Sequence, residues 1–260
     1  MKIVVLVKQV PDSGAERTLR ADDNTVDRTS ANNVINEMDE YAIEEALKLR
    51  EADGGVEITI LTMGPDQAAE SIRKALQTGS DGAVHVLDDA LRGSCALATS
   101  TVLAAALRTL EPDLVLCGAE ATDARGQAMP HMLAERLGVA ALTGARKLTV
   151  DGSTLTIERQ TEEGYEVVTA STPAIVSVWD TINEPRYPTF KGIMEAKKKP
   201  VRTLSLADLG IAAEEVGFTG ASTEVPEHSR RPARQGGTKV TDDGEGGLRL
   251  VEFLVAEKFV

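Results

Sequence analysis

The sequence predicts an α/β fold: a mainly parallel open sheet with helices on both faces, antiparallel strands at one end, and an extended C-terminal arm. Three observations predict it. Up to Gly138, short apolar runs alternate with segments of helical periodicity, and the runs show little polar alternation. Strands buried on both faces read that way, and one helix between successive strands makes the sheet parallel. After Gly138 the helical segments give way to turn signals. From 217 to 247 the chain is rich in Gly, Pro, Ser, Thr and charge, a composition that cannot pack a core of its own.

The elements follow in order. Residues 3–7 form a β-branched run, ended by Pro11-Asp12-Ser13-Gly14. Residues 37–51 carry Met38, Ala42, Ala46 and Leu49 at helical spacing, with Asn36 as N-cap and Asp39 as its capping-box partner. A strand over 57–63 is closed by Gly64-Pro65, and a helix then places Ala68, Ile72, Ala75 and Leu76 on one face. Residues 83–87 read as a strand, 95–110 as a helix, 113–118 as a strand and 127–137 as a helix. Residues 147–150 and 154–160 flank Asp151-Gly152 and read as a hairpin. Strands over 166–170 and 174–179 add antiparallel members. Residues 1–216 are expected to form one domain. The polar stretch from 217, ending in the apolar segment 248–260, reads as an arm that grips another subunit or as a helix folded on its own domain.

With 260 residues and 42% hydrophobic residues, the chain can bury a full core. It has one Trp, three Tyr and four Phe, so that core is aliphatic and an exposed aromatic carries information. The net charge of −13 argues against nucleic acid as a partner, because phosphate contacts need Lys and Arg, and it suits steering toward basic partners. The N-terminus runs straight into a strand and no apolar run reaches membrane-spanning length, so a cytoplasmic location without membrane insertion is expected. Cys95 and Cys117 match no metal spacing and read as small buried hydrophobes in a reducing compartment.

Catalytic signals are missing. His85, His131 and His228 have no ligand-spaced companions, and no nucleophile elbow, zinc-protease, Walker A or dinucleotide motif occurs. The expectation is no catalytic residue and no metal. A nucleotide site remains open to the fold, since ligands bind beyond the carboxyl ends of parallel strands where strand order reverses. The loops there are 8–14, 33–39, 63–65 and 118–126. The last, Gly118-Ala119-Glu120-Ala121-Thr122-Asp123-Ala124-Arg125-Gly126, is small-residue-rich and precedes a helix, so its N–H groups can face a phosphate. An ordinary βα turn packed closely explains the same residues.

One segment contradicts the acidic chain. Between 183 and 202 there are six Lys or Arg and two Asp or Glu, a local charge of +4. It holds Tyr187 between Pro185 and Pro188, and Phe190 two residues beyond Pro188.

The sequence resembles the beta subunit of electron transfer flavoproteins through nearly its whole length. The resemblance rests on Val5-Leu6-Val7-Lys8-Gln9-Val10-Pro11-Asp12, on Ile35-Asn36-Glu37-Met38-Asp39-Glu40-Tyr41-Ala42, on Gly64-Pro65 with Ile72-Arg73-Lys74-Ala75-Leu76, and most specifically on Asn183-Glu184-Pro185-Arg186-Tyr187 with Ile193-Met194-x-Ala196-Lys197. It implies a subunit that holds AMP and pairs with an alpha subunit, the two sharing a redox FAD. Electrons arrive from acyl-CoA and other dehydrogenases, as in fatty acid oxidation, and leave to a membrane quinone oxidoreductase.

The resemblance implies AMP contacts from Leu6, Asn36, Glu37, Met38, Asp39, Met63, Ala121, Thr122, Asp123, Ala124, Arg125, Gly126, Gln127, Ala128 and Met129, largely through backbone. It makes 183–200 the recognition loop that docks dehydrogenases, with Phe190 as the inserted anchor and Arg186, Tyr187, Lys191, Ile193 and Met194 around it. The arm 217–260 would pack on the alpha subunit. The chain departs from the family in the side chains of 121–130, in Gln160 where Glu is frequent, and in Ser13 and Met38 where some relatives place aromatics near the flavin. Two alternatives stand beside this reading. One is a bifurcating form with a second FAD in place of AMP, oxidising NADH. The other is a stand-alone adenine-nucleotide-binding enzyme.

Overall fold

A computed structural model describes every residue except 30, 31, 234, 235 and 238. The described chain falls into two units, Met1–Pro226 and Glu227–Val260. In the first, β1 (Lys2–Leu6) leads to a two-stranded ribbon, β2 (Gln9–Pro11) and β3 (Asn33–Ile35), and then to α1 (Glu37–Ala52). There follow β4 (Glu57–Met63), α2 (Ala69–Thr78), β5 (Gly82–Val86), α3 (Ala96–Leu110), β6 (Leu114–Gly118) and α4 (Met129–Leu137). Next come β7 (Ala140–Asp151), β8 (Thr154–Gln160), β9 (Tyr165–Ser171) and β10 (Ala174–Val178). The unit closes with α5 (Phe190–Ala196), β11 (Val201–Leu204), α6 (Leu206–Leu209) and α7 (Gly217–Gly220). The second unit holds α8 (Gly246–Ala256).

The expected α/β sheet is borne out, except that the strand over 174–179 does not join the antiparallel end: β10 pairs parallel with both β6 and β7. The main sheet runs β11-β5-β4-β1-β6-β10-β7-β8-β9. All pairs through β7 are parallel, and β8 and β9 add antiparallel strands at one end. Alternate residues of β1 serve different layers. Ile3 and Val5 pack with Ile43 and Leu47 of α1 and Ile72 and Leu76 of α2, whereas Val4 and Leu6 pack with Val102 and Leu107 of α3 and Leu133 of α4. Each such aliphatic side chain, fully buried, contributes roughly 1.5–3 kcal/mol, which is how a core nearly free of aromatics holds both faces.

Strand order reverses at β1. The chain moves from β1 to β4 and β5 on one side, then crosses to β6 on the other. The gap beyond the carboxyl ends of β1 and β6 is therefore the switch point where an open α/β sheet takes a ligand.

Three further sequence expectations need correction. The basic segment is not all loop, because Phe190–Ala196 is helical, with the Thr189 hydroxyl accepting from Gly192 N. The helix expected from 127 begins at Met129, after residues without regular secondary structure. Cys117 is buried as expected, but Cys95 is half-buried.

Candidate nucleotide and docking sites

At the switch point, α1 enters with its first turn over the ends of β1 and β6. Asn36 occupies the N-cap position, but its side chain makes no cap hydrogen bond. Instead its amide donates to Glu120 O at 2.9 Å and accepts from Thr122 N at 2.9 Å. Asp39 likewise turns away from the capping box. Its carboxylate accepts from Lys8 N at 2.8 Å and from Gly118 N at 3.1 Å. The two residues expected to cap a helix thus tie that helix to both sides of the crevice. Burial pushes the Asp39 carboxyl up to about 7, against the pull of these hydrogen bonds and of nearby Lys8.

The closeness needs glycine at the end of β6. A Cβ on Gly118 would lie 2.4 Å from Met38 Cβ and 2.7 Å from Asp39 Oδ1. Leu6 is buried at the end of β1, and Met38 and Met63 are half-buried at the crevice rim. Glu37 is exposed and receives the Ser13 hydroxyl at 2.9 Å.

The loop between β6 and α4 is anchored from below by an ion cluster. Asp123 meets Lys8 Nζ at 2.7 Å and Arg28 Nη2 at 2.5 Å, with its own side chain only 1% exposed. Burial opposes the Asp123 charge, but Lys8 and then Arg28 outweigh it and hold the carboxyl below its ordinary range. Two cations face one carboxylate, leaving the cluster net positive, and Lys8 stays 41% exposed. Arg28 was outside the residues the sequence singled out. It lies in a stretch with no periodicity, 95 residues from its partner, so no local signal finds it.

Thr122 N is taken by Asn36, and Ala124 N and Arg125 N by Ala121 O. Among the described residues, the backbone N–H groups of Gly126, Gln127 and Ala128 meet no protein acceptor. They lie just ahead of α4, whose N-terminal dipole favours an anion. Arg125 and Gln127 have positive φ values of 49° and 48°, which turn this stretch sharply. Arg125 is solvated, 3.8 Å from Glu120, and Gln127 donates to Glu120 at 2.8 Å. Met129 is half-buried as the first residue of α4.

The segment expected to dock partners lies along the α1 and α2 layer. Phe190 is 81% exposed and Tyr187 93%, with Lys191, Ile193 and Met194 also exposed. Arg186 differs: its guanidinium is engaged by Glu44 at 2.7 and 2.8 Å and by Glu51. Asn183 donates to Tyr41 O and to Glu45 at 3.0 and 2.9 Å. These pairings account for two nearly buried glutamates on α1.

Among the described residues, no cluster of three His, Cys, Asp or Glu is placed to hold a metal. The buried His85 ring contacts Gly64 O at 3.0 Å, a structural tie between β5 and the turn after β4.

Residues 23–209 match the electron transfer flavoprotein domain family. The chain is 48% identical to the electron transfer flavoprotein subunit beta of Mycobacterium tuberculosis, with 99% of each chain covered. The chain belongs to the electron transfer flavoprotein beta-subunit family. It is also similar to the subunit beta of Megasphaera elsdenii, at 38% identity with both chains fully covered. A third relative is the caffeyl-CoA reductase-Etf complex subunit CarD of Acetobacterium woodii, 33% identical over 93% of this chain and 92% of its own. Membership of the electron transfer flavoprotein family gives the chain an electron-transfer role and implies an alpha-subunit partner. Among the described residues, no helix is long and apolar enough to cross a membrane.

Proposed function

We propose that this chain is the nucleotide-holding and partner-docking half of a heterodimeric electron carrier, with AMP at the switch point and an FAD shared with the alpha subunit. The observation that carries the AMP reading is the set of uncommitted N–H groups of Gly126, Gln127 and Ala128 beside a net-positive Lys8–Arg28–Asp123 cluster. These groups fit a phosphate that is held mainly by backbone and helix dipole, with one partly exposed ammonium nearby. Leu6, Met38, Met63 and Ala121 would line the nucleoside, while Asn36 and Asp39 fix the walls. A separate concavity lined by Asp12, Val34, Ile35, Glu37, Glu40 and Lys74 carries three acidic groups against one basic and would repel a phosphate.

The FAD, when bound, supplies reversible acceptance of electrons. This chain's part is to orient and shield it, and with Ser13 and Met38 rather than aromatics at the flank it offers little stacking. The exposed face of α5, anchored by Phe190, would dock acyl-CoA and other dehydrogenases, and electrons would leave to a quinone oxidoreductase. An apolar anchor worth roughly 1.5–3 kcal/mol suits a partner that must be released after transfer. Residues 217–260 would grip the alpha subunit. No residue of α8 is buried, and Leu248, Leu250, Val251, Phe253 and Val255 are exposed along it. A cytoplasmic setting, with no membrane insertion and no nucleic acid partner, completes the reading.

The test is co-purification with the alpha subunit, followed by release and identification of bound nucleotides. One FAD and one AMP per heterodimer support the proposal. Two flavins would favour the bifurcating form, and a flavin-free monomer the stand-alone enzyme.

A further inference from the structure

We propose that Arg186, Gly192 and Lys199 form a three-point mount that holds α5 in one pose, so that Arg186 acts as a positioning residue and not as a contact for the partner. The inference rests on the reading of α5 as the docking element.

The first point is the Arg186 fork. Its Nε and Nη2 donate to the two oxygens of Glu44 at 2.7 and 2.8 Å, and its own backbone N–H donates to Glu44 Oε2 at 3.2 Å. The Glu44 side chain is only 8% exposed, so this is a bidentate pair with one partner largely removed from water. Breaking it would leave that carboxylate without its counter-charge. Asn183, three residues earlier, adds ties to Tyr41 and Glu45 on the same helix.

The second point is steric. A Cβ on Gly192 would lie 2.3 Å from Gln77 O, a backbone atom that cannot swing aside. The third is Lys199, whose Nζ donates to Leu76 O at 2.9 Å. That carbonyl lies in the last turn of α2, where the helix dipole favours a cation. Between these points Ala196 is buried with Leu76 and Leu47 in the core.

On a helix so held, residues 190, 193 and 194 share one face by the i, i+3, i+4 relation. Phe190, Ile193 and Met194 are all exposed there. The backbone that carries the anchor then needs no ordering at encounter, which is where a mobile loop would lose affinity. Lys191, Lys197 and Lys198 remain exposed for charge contact, while the Arg186 charge is already met by Glu44 and Glu51.

The test uses the purified heterodimer as the varied electron acceptor of an acyl-CoA dehydrogenase, beside amide hydrogen exchange in α5. Arg186→Lys and Gly192→Ala should each raise KM about tenfold, leave kcat and nucleotide content unchanged, and speed exchange in α5. In a Phe190→Ala background the same substitutions should add less than about twofold, since both act through one anchor. Unchanged KM and exchange in both variants, while Phe190→Ala alone raises KM, would overturn the mount. If Phe190→Ala leaves KM unchanged, the docking reading falls and takes the positioning role with it. Faster α5 exchange in the mount variants would then set that outcome apart from failure of the mount itself.

Discussion

Asp39 Oδ1 accepts a hydrogen bond from Gly118 N at 3.1 Å, joining the first turn of α1 to the end of β6 across the switch point. The bond places in the interior a carboxylate that the local spacing assigns to a capping box. It also explains why residue 118 has no side chain.

Gly118→Ala is therefore expected to damage the crevice rather than the fold. The added methyl meets Met38 Cβ and Asp39, and such overpacking costs about 1–3 kcal/mol. Thermal unfolding of the variant should shift down, and the purified heterodimer should carry less bound nucleotide. Full nucleotide content at a lowered melting temperature would separate the crevice from the site.

Asp39 gives a pH signature. Burial raises its carboxyl to about 7 from an ordinary 3.8. Between those values the folded chain binds the proton more tightly than the unfolded one, so its stabilising contribution is full below the lower value and lost as pH rises through the upper. Urea midpoints should fall from pH 5 to pH 8 in the wild type. Asp39→Asn should be less stable, because its NH2 would face a backbone N–H, and should lose that slope. A slope unchanged in the variant would assign the titration elsewhere.

Asn36→Ala removes both bonds that hold the loop after β6. Each is worth about 0.5–1.5 kcal/mol net, so the loss of stability is modest. The larger expected effect is faster hydrogen exchange at Thr122 and weaker nucleotide retention during gel filtration. Asn36→Asp, able to accept from Thr122 N but not to donate to Glu120 O, should retain part of the function.

Phe190→Ala should slow electron transfer from the dehydrogenase and leave flavin content unaltered, since its side chain is exposed. A coincident loss of flavin would make the residue structural.

The sheet was legible because its strands are unbroken apolar runs and its helices keep a clear period. Residues 57–63 were read as they stand in β4. What the sequence hid falls into two kinds. Short or punctuated elements escaped: β2 and β3 have too few residues to show alternation, Gly144 interrupts the long β7, and Pro185, Pro188 and Gly192 disguise the helix that follows Thr189. Long-range pairings escaped as well. Asn36 and Asp39 look like caps because local spacing says so, while their partners lie 84 and 79 residues away. Lys8 and Arg28 meet Asp123 on the same terms. The loop between β6 and α4 was found from topology, but which of its N–H groups are already spent depends on the folded backbone.

The arm offers a direct test of subunit pairing. Phe253→Asp would put a charge on the apolar surface of α8, where Phe253 is 50% exposed. Co-purification with the alpha subunit should be lost, while the full-length variant keeps the circular dichroism of the wild type. Undiminished pairing would move the interface off the arm.

The central claim is that the switch point holds AMP and not a second flavin. Denaturing the purified heterodimer and identifying the released nucleotides by chromatography and mass spectrometry tests it most directly. One FAD and one AMP per heterodimer are expected; two FAD and no AMP would contradict the account.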